Sequence, residues 1–278
     1  MKVKFLGAAG MVTGSCYLIS HEGRQILLDL GLFQGGLDES RPNYEPLRFK
    51  PSELSGMVLT HAHLDHCGRL PLLVHGGFSG DIWMTEATMK LLEITLMDSA
   101  NIAKENKDKP MFNEEDVIKT LSMCKTIGYH ETFEVGGMSF NFLDAGHILG
   151  SASVEIKIEN PKNQKIETIV FSGDLGNSPQ DLIMPTEIPE SADYVIMEST
   201  YGDKTHPGED AGELLGEEIK RAEQDGGTLL IPAFSLERTQ EILHKIDHLK
   251  RTKVIKNETP VYMDSPMAIK ATAVFEGF

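Results

Sequence analysis

The sequence predicts an α/β protein in two parts, a strand-rich stretch over residues 1–204 and a shorter α/β stretch over 205–278. Three observations predict it. Short apolar or β-branched runs, each closed by Gly, Asp or His, recur through the first part. A single long helical pattern interrupts them. After about Thr205 helix and strand alternate, the pattern of a parallel α/β unit.

Strands are expected at Lys2–Ala8, Cys16–Ser20, Gln25–Asp29, Met57–His61 and Asp81–Thr85. Ala87 to about Lys104 reads as a helix, with Leu91, Leu92, Thr95, Leu96 and Ile102 near one face. Asn113 caps a second helix running to about Cys124, with acidic residues in its first turn. Strands return at Thr132–Val135, Met138–Leu143, Ser153–Glu159, Lys165–Ser172 and Tyr194–Met197, and Gly136-Gly137 marks a hairpin turn. The polar stretch Gly202–Gly208 is the expected boundary. Beyond it come a helix Glu209–Gln224, a buried strand Thr228–Ile231, a helix Ser235–Lys250, a strand Val261–Met263 and a helix Met267–Phe275.

Composition narrows the function classes. The chain has 278 residues, 40% of them hydrophobic, which suits a folded core. No apolar run approaches the roughly 18 residues of a membrane span. Met1–Gly7 reads as a strand and not a signal peptide, so a cytoplasmic protein is expected. Three scattered cysteines imply no disulfide framework, and Cys67 reads as a small buried residue and not a ligand. The formal charge of −16 argues against broad phosphate binding by a basic face. It leaves a nuclease open, because bound divalent ions supply a local positive field.

The richest stretch is Thr60-His61-Ala62-His63-Leu64-Asp65-His66, where three histidines and one aspartate lie within six residues directly after a strand. Imidazole nitrogen and carboxylate oxygen suit zinc. A turn after a strand can aim such residues at two adjacent ions. The strand-then-ligand pattern repeats in Phe142-Leu143-Asp144-Ala145-Gly146-His147 and in Ile169-Val170-Phe171-Ser172-Gly173-Asp174. Asp29 ends another strand and is a candidate to orient a metal-bound histidine or water. The remaining histidines, His21, His75, His130, His206, His244 and His248, read as solvated or packed. Lys245, Lys250, Arg251, Lys253 and Lys256 form a basic run, read first as a solvated helix end and second as an RNA-backbone contact.

With those residues in place, the chain resembles the metallo-β-lactamase superfamily over about residues 1–200. The resemblance implies a four-layer αββα sandwich with the site at one edge of two sheets. It implies that His61, His63 and His147 hold one zinc, that Asp65 and His66 hold a second, and that Asp174 bridges them. Within that superfamily, Ala8–Tyr17, Asp144–Ser151, Met197-Glu198-Ser199-Thr200-Tyr201-Gly202 and Ile231–Glu241 are similar to motifs of the β-CASP ribonucleases. Residues 1–204 would then be the lactamase domain, lacking its C-terminal return, and 205–278 a partial β-CASP domain. The family carries two further histidine motifs downstream, so this chain is expected to be truncated within that domain and weak or inactive by itself. The implied reaction is hydrolysis of RNA phosphodiesters by a hydroxide held between two zincs. Asp65 and Asp174 would act in catalysis, Asp29 would orient the water, and Glu198 would support a downstream histidine acid. Single-stranded RNA is the expected partner, with a homodimer as an option and no membrane. The alternatives are a hydrolase of small thioesters or lactones and a non-catalytic binding subunit.

Overall fold

The computed structural model describes residues 1–105, 110–161, 163–176, 182–205 and 211–278. The first sheet holds, in order, β1 (Lys2–Phe5), β2 (Tyr17–His21), β3 (Arg24–Leu28), β4 (Gly56–Val58), β5 (Ile82–Met84) and β6 (Cys124–Thr126). Its first two pairings are antiparallel and the other three parallel. The second sheet is built from β7 (Phe133–Val135), β8 (Met138–Asp144), β9 (Ala152–Glu159), β10 (Ile166–Phe171) and β11 (Tyr194–Ile196). It is antiparallel except for the β10–β11 pair. The helices are α1 (Leu37–Ser40), α2 (Leu64–Cys67), α3 (Leu72–His75), α4 (Glu86–Glu105), α5 (Glu114–Leu121), α6 (Ala211–Asp225), α7 (Arg238–Arg251) and α8 (Pro266–Phe275).

The chain divides into two compact units. One takes Met1–Pro179 and Pro185–Glu198, the other Gln180–Met184 and Ser199–Phe278. In the first, alternate residues of facing strands interlock. Ile19, Ile26, Leu28 and Val58 of one sheet meet Phe140, Phe142, Val154, Ile156, Ile169 and Phe171 of the other. This is the period of two that a strand imposes, and it makes the inter-sheet core. Leu27, Met57, Ile82 and Met84 point the opposite way and are fully buried too. There α4 contributes Leu91, Leu92 and Leu96, none of them exposed, so the first sheet is apolar on both faces. Asn113 caps α5 through its side chain, accepting from the backbone N–H groups of Glu115 and Asp116.

The second unit departs from expectation. Thr228–Ile231 and Val261–Met263 are not strands, and Leu230 and Tyr262 are each 88% exposed. A strand is held by ladder hydrogen bonds to a neighbour, and no strand is described in this unit to provide them. The unit is instead helical: Ile219 of α6 packs on Ile246 and Leu249 of α7, with Ile255 beside them. Its first helix was expected from Glu209, which lies outside the described residues, as do His206 and the end of the Gly202–Gly208 stretch. In the first unit β6 is an element the sequence did not announce, since Cys124-Lys125-Thr126 has no apolar run and follows a helix that ends at Leu121.

Candidate metal centre

All the metal-type side chains follow the C-terminal ends of strands. β3 and β4 run parallel, and β8 and β10 share a direction because both pair antiparallel with β9. The turns after β3, β4, β8 and β10 therefore open at one end of the sandwich. A backbone bond from Ala152 N to Thr60 O, 2.9 Å, ties the two sheets together there.

After β4 the chain is irregular through Thr60–His63, then forms the single turn α2, for which His63 is the N-cap. This break in periodicity lets neighbouring residues face different points. His61 Nε2 and His147 Nε2 each approach His63 Nδ1 to 3.1 Å. Asp174 Oδ2 lies 3.9 Å from His61 Nε2 and 3.6 Å from His147 Nε2. Asp174 Oδ1 turns the other way, 3.1 Å from His66 Nε2, which is 3.9 Å from Asp65 Oδ2. Two groups of donors result, His61, His63, His147 and Asp174, and Asp65, His66 and Asp174, with Asp174 in both.

These donors fit zinc. Tetrahedral ligands at about 2.0–2.1 Å from zinc stand roughly 3.3 Å apart. The separations above scatter around that edge. Protonation agrees: burial first, then the neighbouring imidazoles, hold His61 well below the ordinary histidine range. Burial and His147 hold His63 down to about 3. Both rings are therefore neutral and offer a lone pair. Burial opposes ionisation of Asp174, but the hydrogen bond and charge of His66 overcome it and bring the carboxyl to about 2. For His66, burial opposes the charge, while Asp29 and Asp174 outweigh it and hold the ring well above its usual value. Burial pushes Asp65 up.

Behind the donors lies a second set of contacts. Asp29 is fully buried and adopts a left-handed backbone, φ 56°. Its Oδ1 accepts from Thr60 N at 2.9 Å, and its Oδ2 accepts from Thr60 Oγ1 at 2.9 Å and meets His66 Nδ1 at 2.8 Å. Thr60 Oγ1 also lies 3.0 Å from His61 Nδ1. With Nδ1 of both rings occupied here, Nε2 is the atom that each ring turns toward the donors. Both oxygens of Asp29 are thus spent on Thr60 and His66. Ser151 Oγ accepts from His147 N and Ile148 N, fixing the turn that carries His147. Glu198 lies two residues past β11 and joins neither donor group. Its Oε1 accepts from Leu175 N at 3.1 Å, and its own N–H donates to Ser172 Oγ, so it braces the turn that carries Asp174. Sequence reading singled out neither Thr60, Ser151 nor Ser172. Thr60 had one signal available, a hydroxyl at the end of an apolar strand directly before the first histidine.

Two glycines permit this crowding. A Cβ on Gly31 would sit 1.5 Å from Asp65 O, and one on Gly176 would sit 1.4 Å from Gly146 O. Other candidates behave as ordinary structure. Cys67 is fully buried and lies in neither donor group. His75 and His130 pair with Asp116 and Glu187. Arg251 pairs with Asp247, and Lys250 donates to Thr259 O.

Two sheets stacked core to core, with clustered histidines and aspartates at one end, define a class. Residues 9–233 match the family model of the metallo-beta-lactamase superfamily, and the chain belongs to that family. Residues 239–278 match the Beta-Casp domain. The chain is 39% identical over 277 residues to "Ribonuclease TTHA0252" of Thermus thermophilus, covering 99% of this chain and 61% of that protein. It is 33% identical over 276 residues to "Probable RNase MJ4" of Methanocaldococcus jannaschii, covering 98% and 61%. It is 32% identical over 281 residues to "Cleavage and polyadenylation specificity factor 73" of Drosophila melanogaster, covering 100% and 40%. The chain thus spans about three-fifths or less of the length of these relatives. Among solved structures, a protein of unknown function from Enterococcus faecalis V583 superposes with a TM-score of 0.54 at 15% identity, covering 99% of this chain and 67% of that one, a likeness of fold. Among the described residues, no helix is long and apolar enough to cross a membrane.

Proposed function

We propose that this chain is the metal-binding part of a zinc-dependent ribonuclease that hydrolyses phosphodiester bonds of single-stranded RNA. The observation that carries the reading is the pair of donor groups sharing Asp174, one carboxylate oxygen toward each. The match to the Beta-Casp domain and the relatives named as ribonucleases support RNA as the substrate, over a small thioester or lactone. Bound zinc supplies a Lewis acid for a phosphoryl oxygen and makes water acidic enough to attack near neutral pH.

The chain's own residues do the rest. His61, His63 and His147 would hold one ion and Asp65 and His66 the other, with Asp174 in both groups. Asp174 would serve both groups, because its Oδ1 turns toward His66 and its Oδ2 toward His147. Asp29 acts through His66 and Thr60, fixing ring orientation and tautomer from a position sealed from solvent. Glu198 holds the Asp174 turn in register through Leu175. The domain assignment follows the same reading, with residues 1–204 as the lactamase domain and 205–278 as part of the β-CASP domain. A cytoplasmic site of action and a homodimer remain parts of this proposal.

The test is cleavage of a labelled single-stranded RNA by the full-length protein. Asp65→Ala combined with His66→Ala removes both unshared donors of the second group and should abolish cleavage while the first ion stays bound. Cleavage that survives the double substitution, or that survives chelation, rejects the two-metal reading.

A further inference from the structure

Outside the metal donors, the first unit holds a buried cation that has no carboxylate partner among the described residues. Arg69 follows α2 and is only 6% exposed. Its Nε donates to Gly31 O at 2.6 Å, and its guanidinium lies over the Phe33 ring, 4.5 Å from the centroid. Among the described residues it forms no ion pair with a carboxylate. Burial works against its charge most, Cys16 favours the ionised form and Arg48 opposes it. Cys16 is no counter-ion, because burial pushes its thiol up to about 12 and leaves it neutral. Arginine stays protonated even when buried. An unpaired charge in such surroundings is unfavourable and draws in an opposite charge where one can reach it.

One can reach it. Arg69 lines a small half-open cavity with Leu6, Phe33, Glu45, Arg48 and Phe49. Glu45 is the only carboxylate in that lining, and it is already held between Arg41 Nε at 3.5 Å and Arg48 Nη2 at 3.8 Å. Three guanidiniums, Arg41, Arg48 and Arg69, therefore stand against one carboxylate, in a chain whose formal charge is −16. A guanidinium presents its donors as a planar fork that matches two oxygens of one oxyanion.

We propose that this cavity binds a small oxyanion, a phosphate or carboxylate group, which Arg69 takes from within and Arg48 from the rim. The site also has a mechanical connection. Arg69 holds Leu30 O through its backbone and Gly31 O through its side chain, while Leu30 N donates to His66 O and Gly31 crowds Asp65 O. An anion on Arg69 thus secures the segment against which Asp65 and His66 rest. The proposal stands independently of the ribonuclease reading.

The experiment titrates inorganic phosphate, acetate and dimethyl phosphate into the full chain by calorimetry at low ionic strength, with thermal unfolding in parallel. Inorganic phosphate or acetate should bind one per chain and raise the melting temperature. Arg69→Met should weaken that binding by about ten-fold or more, since it removes a charge-assisted fork. Arg48→Ala, on an exposed side chain that the fold does not need, should weaken it several-fold. Glu45→Gln should tighten it by removing the competing carboxylate. Dimethyl phosphate separates the sources: binding equal to that of phosphate assigns the site to the backbone of a nucleic acid, and rejection assigns it to a free anion. Three results overturn the proposal. One is the absence of saturable binding by any of these anions. Another is binding that Arg48→Ala leaves unchanged, which would place the anion at the metal donors. The third is a Glu45→Gln variant that melts lower and ignores phosphate, which would make Glu45 the partner of Arg69.

Discussion

Asp29→Asn keeps the size of the side chain but removes its charge and turns one acceptor into a donor, so it probes what the contacts behind the metal donors do. Asparagine is among the residues that accept a left-handed backbone, so φ 56° at this position is kept. The amide carbonyl can still accept from Thr60 N, as Oδ1 does now at 2.9 Å. The amide NH2 then faces His66 Nδ1, where a carboxylate oxygen stands at 2.8 Å. A donor cannot meet an N–H, so the ring must place its proton on Nε2. That is the atom 3.1 Å from Asp174 Oδ1, the one that should bind metal. Partners behind a metal-bound histidine are worth about 10–100-fold in affinity, or roughly 1.4–2.7 kcal/mol. The whole of that loss should fall on the group containing Asp65 and His66. His61 has its own Nδ1 contact, Thr60 Oγ1 at 3.0 Å, and should keep its ion. Competition against a chromophoric chelator measures both affinities. A variant that weakens both ions equally, or neither, refutes the tautomer argument.

Three further outcomes follow from the same geometry. His66 is held protonated by Asp29 and Asp174 against burial, so a metal at its Nε2 must displace a proton. The affinity of that group should therefore rise with pH, by up to about ten-fold per unit below the His66 pKa, with proton release visible in calorimetry in buffers of different ionisation heat; a pH-independent affinity contradicts it. Glu198→Gln keeps an oxygen for Leu175 N and removes a charge, so metal stoichiometry should stay constant while RNA cleavage by the full-length protein falls sharply; loss of metal would make Glu198 a ligand. Phe142 is fully buried between the sheets, and Phe142→Ala should cost about 3–5 kcal/mol in denaturant unfolding. A loss under 1 kcal/mol would mean that the inter-sheet core repacks around the gap.

Much of the sandwich was legible because a strand buried on one or both faces writes its exposure into the chain. Phe140 and Phe142 alternate with polar neighbours in β8, and Val154, Ile156 and Ile158 do so in β9. The donors were legible because His61, His63, Asp65 and His66 lie close together in the chain, and His147 and Asp174 each follow an apolar strand directly. β6 was not legible, since Cys124-Lys125-Thr126 pairs through its backbone beside β5 and carries no apolar signature. Thr228–Ile231 and Val261–Met263 have strand-forming side chains but no pairing neighbour among the described residues, and propensity alone does not make a strand.

The sequence by itself determined which residue types could bind metal, that they follow strand ends, and the family they resemble. Those are properties of composition and local order, readable along one dimension. Only the tertiary structure decided that Asp174 turns one oxygen toward each donor group, that Asp29 spends both oxygens on Thr60 and His66, and that Arg69 is buried near Arg48 with no carboxylate partner among the described residues. Each of these depends on distances between residues tens of positions apart. Such distances exist only once the two sheets have closed on their shared core and set the ends of β3, β4, β8 and β10 side by side.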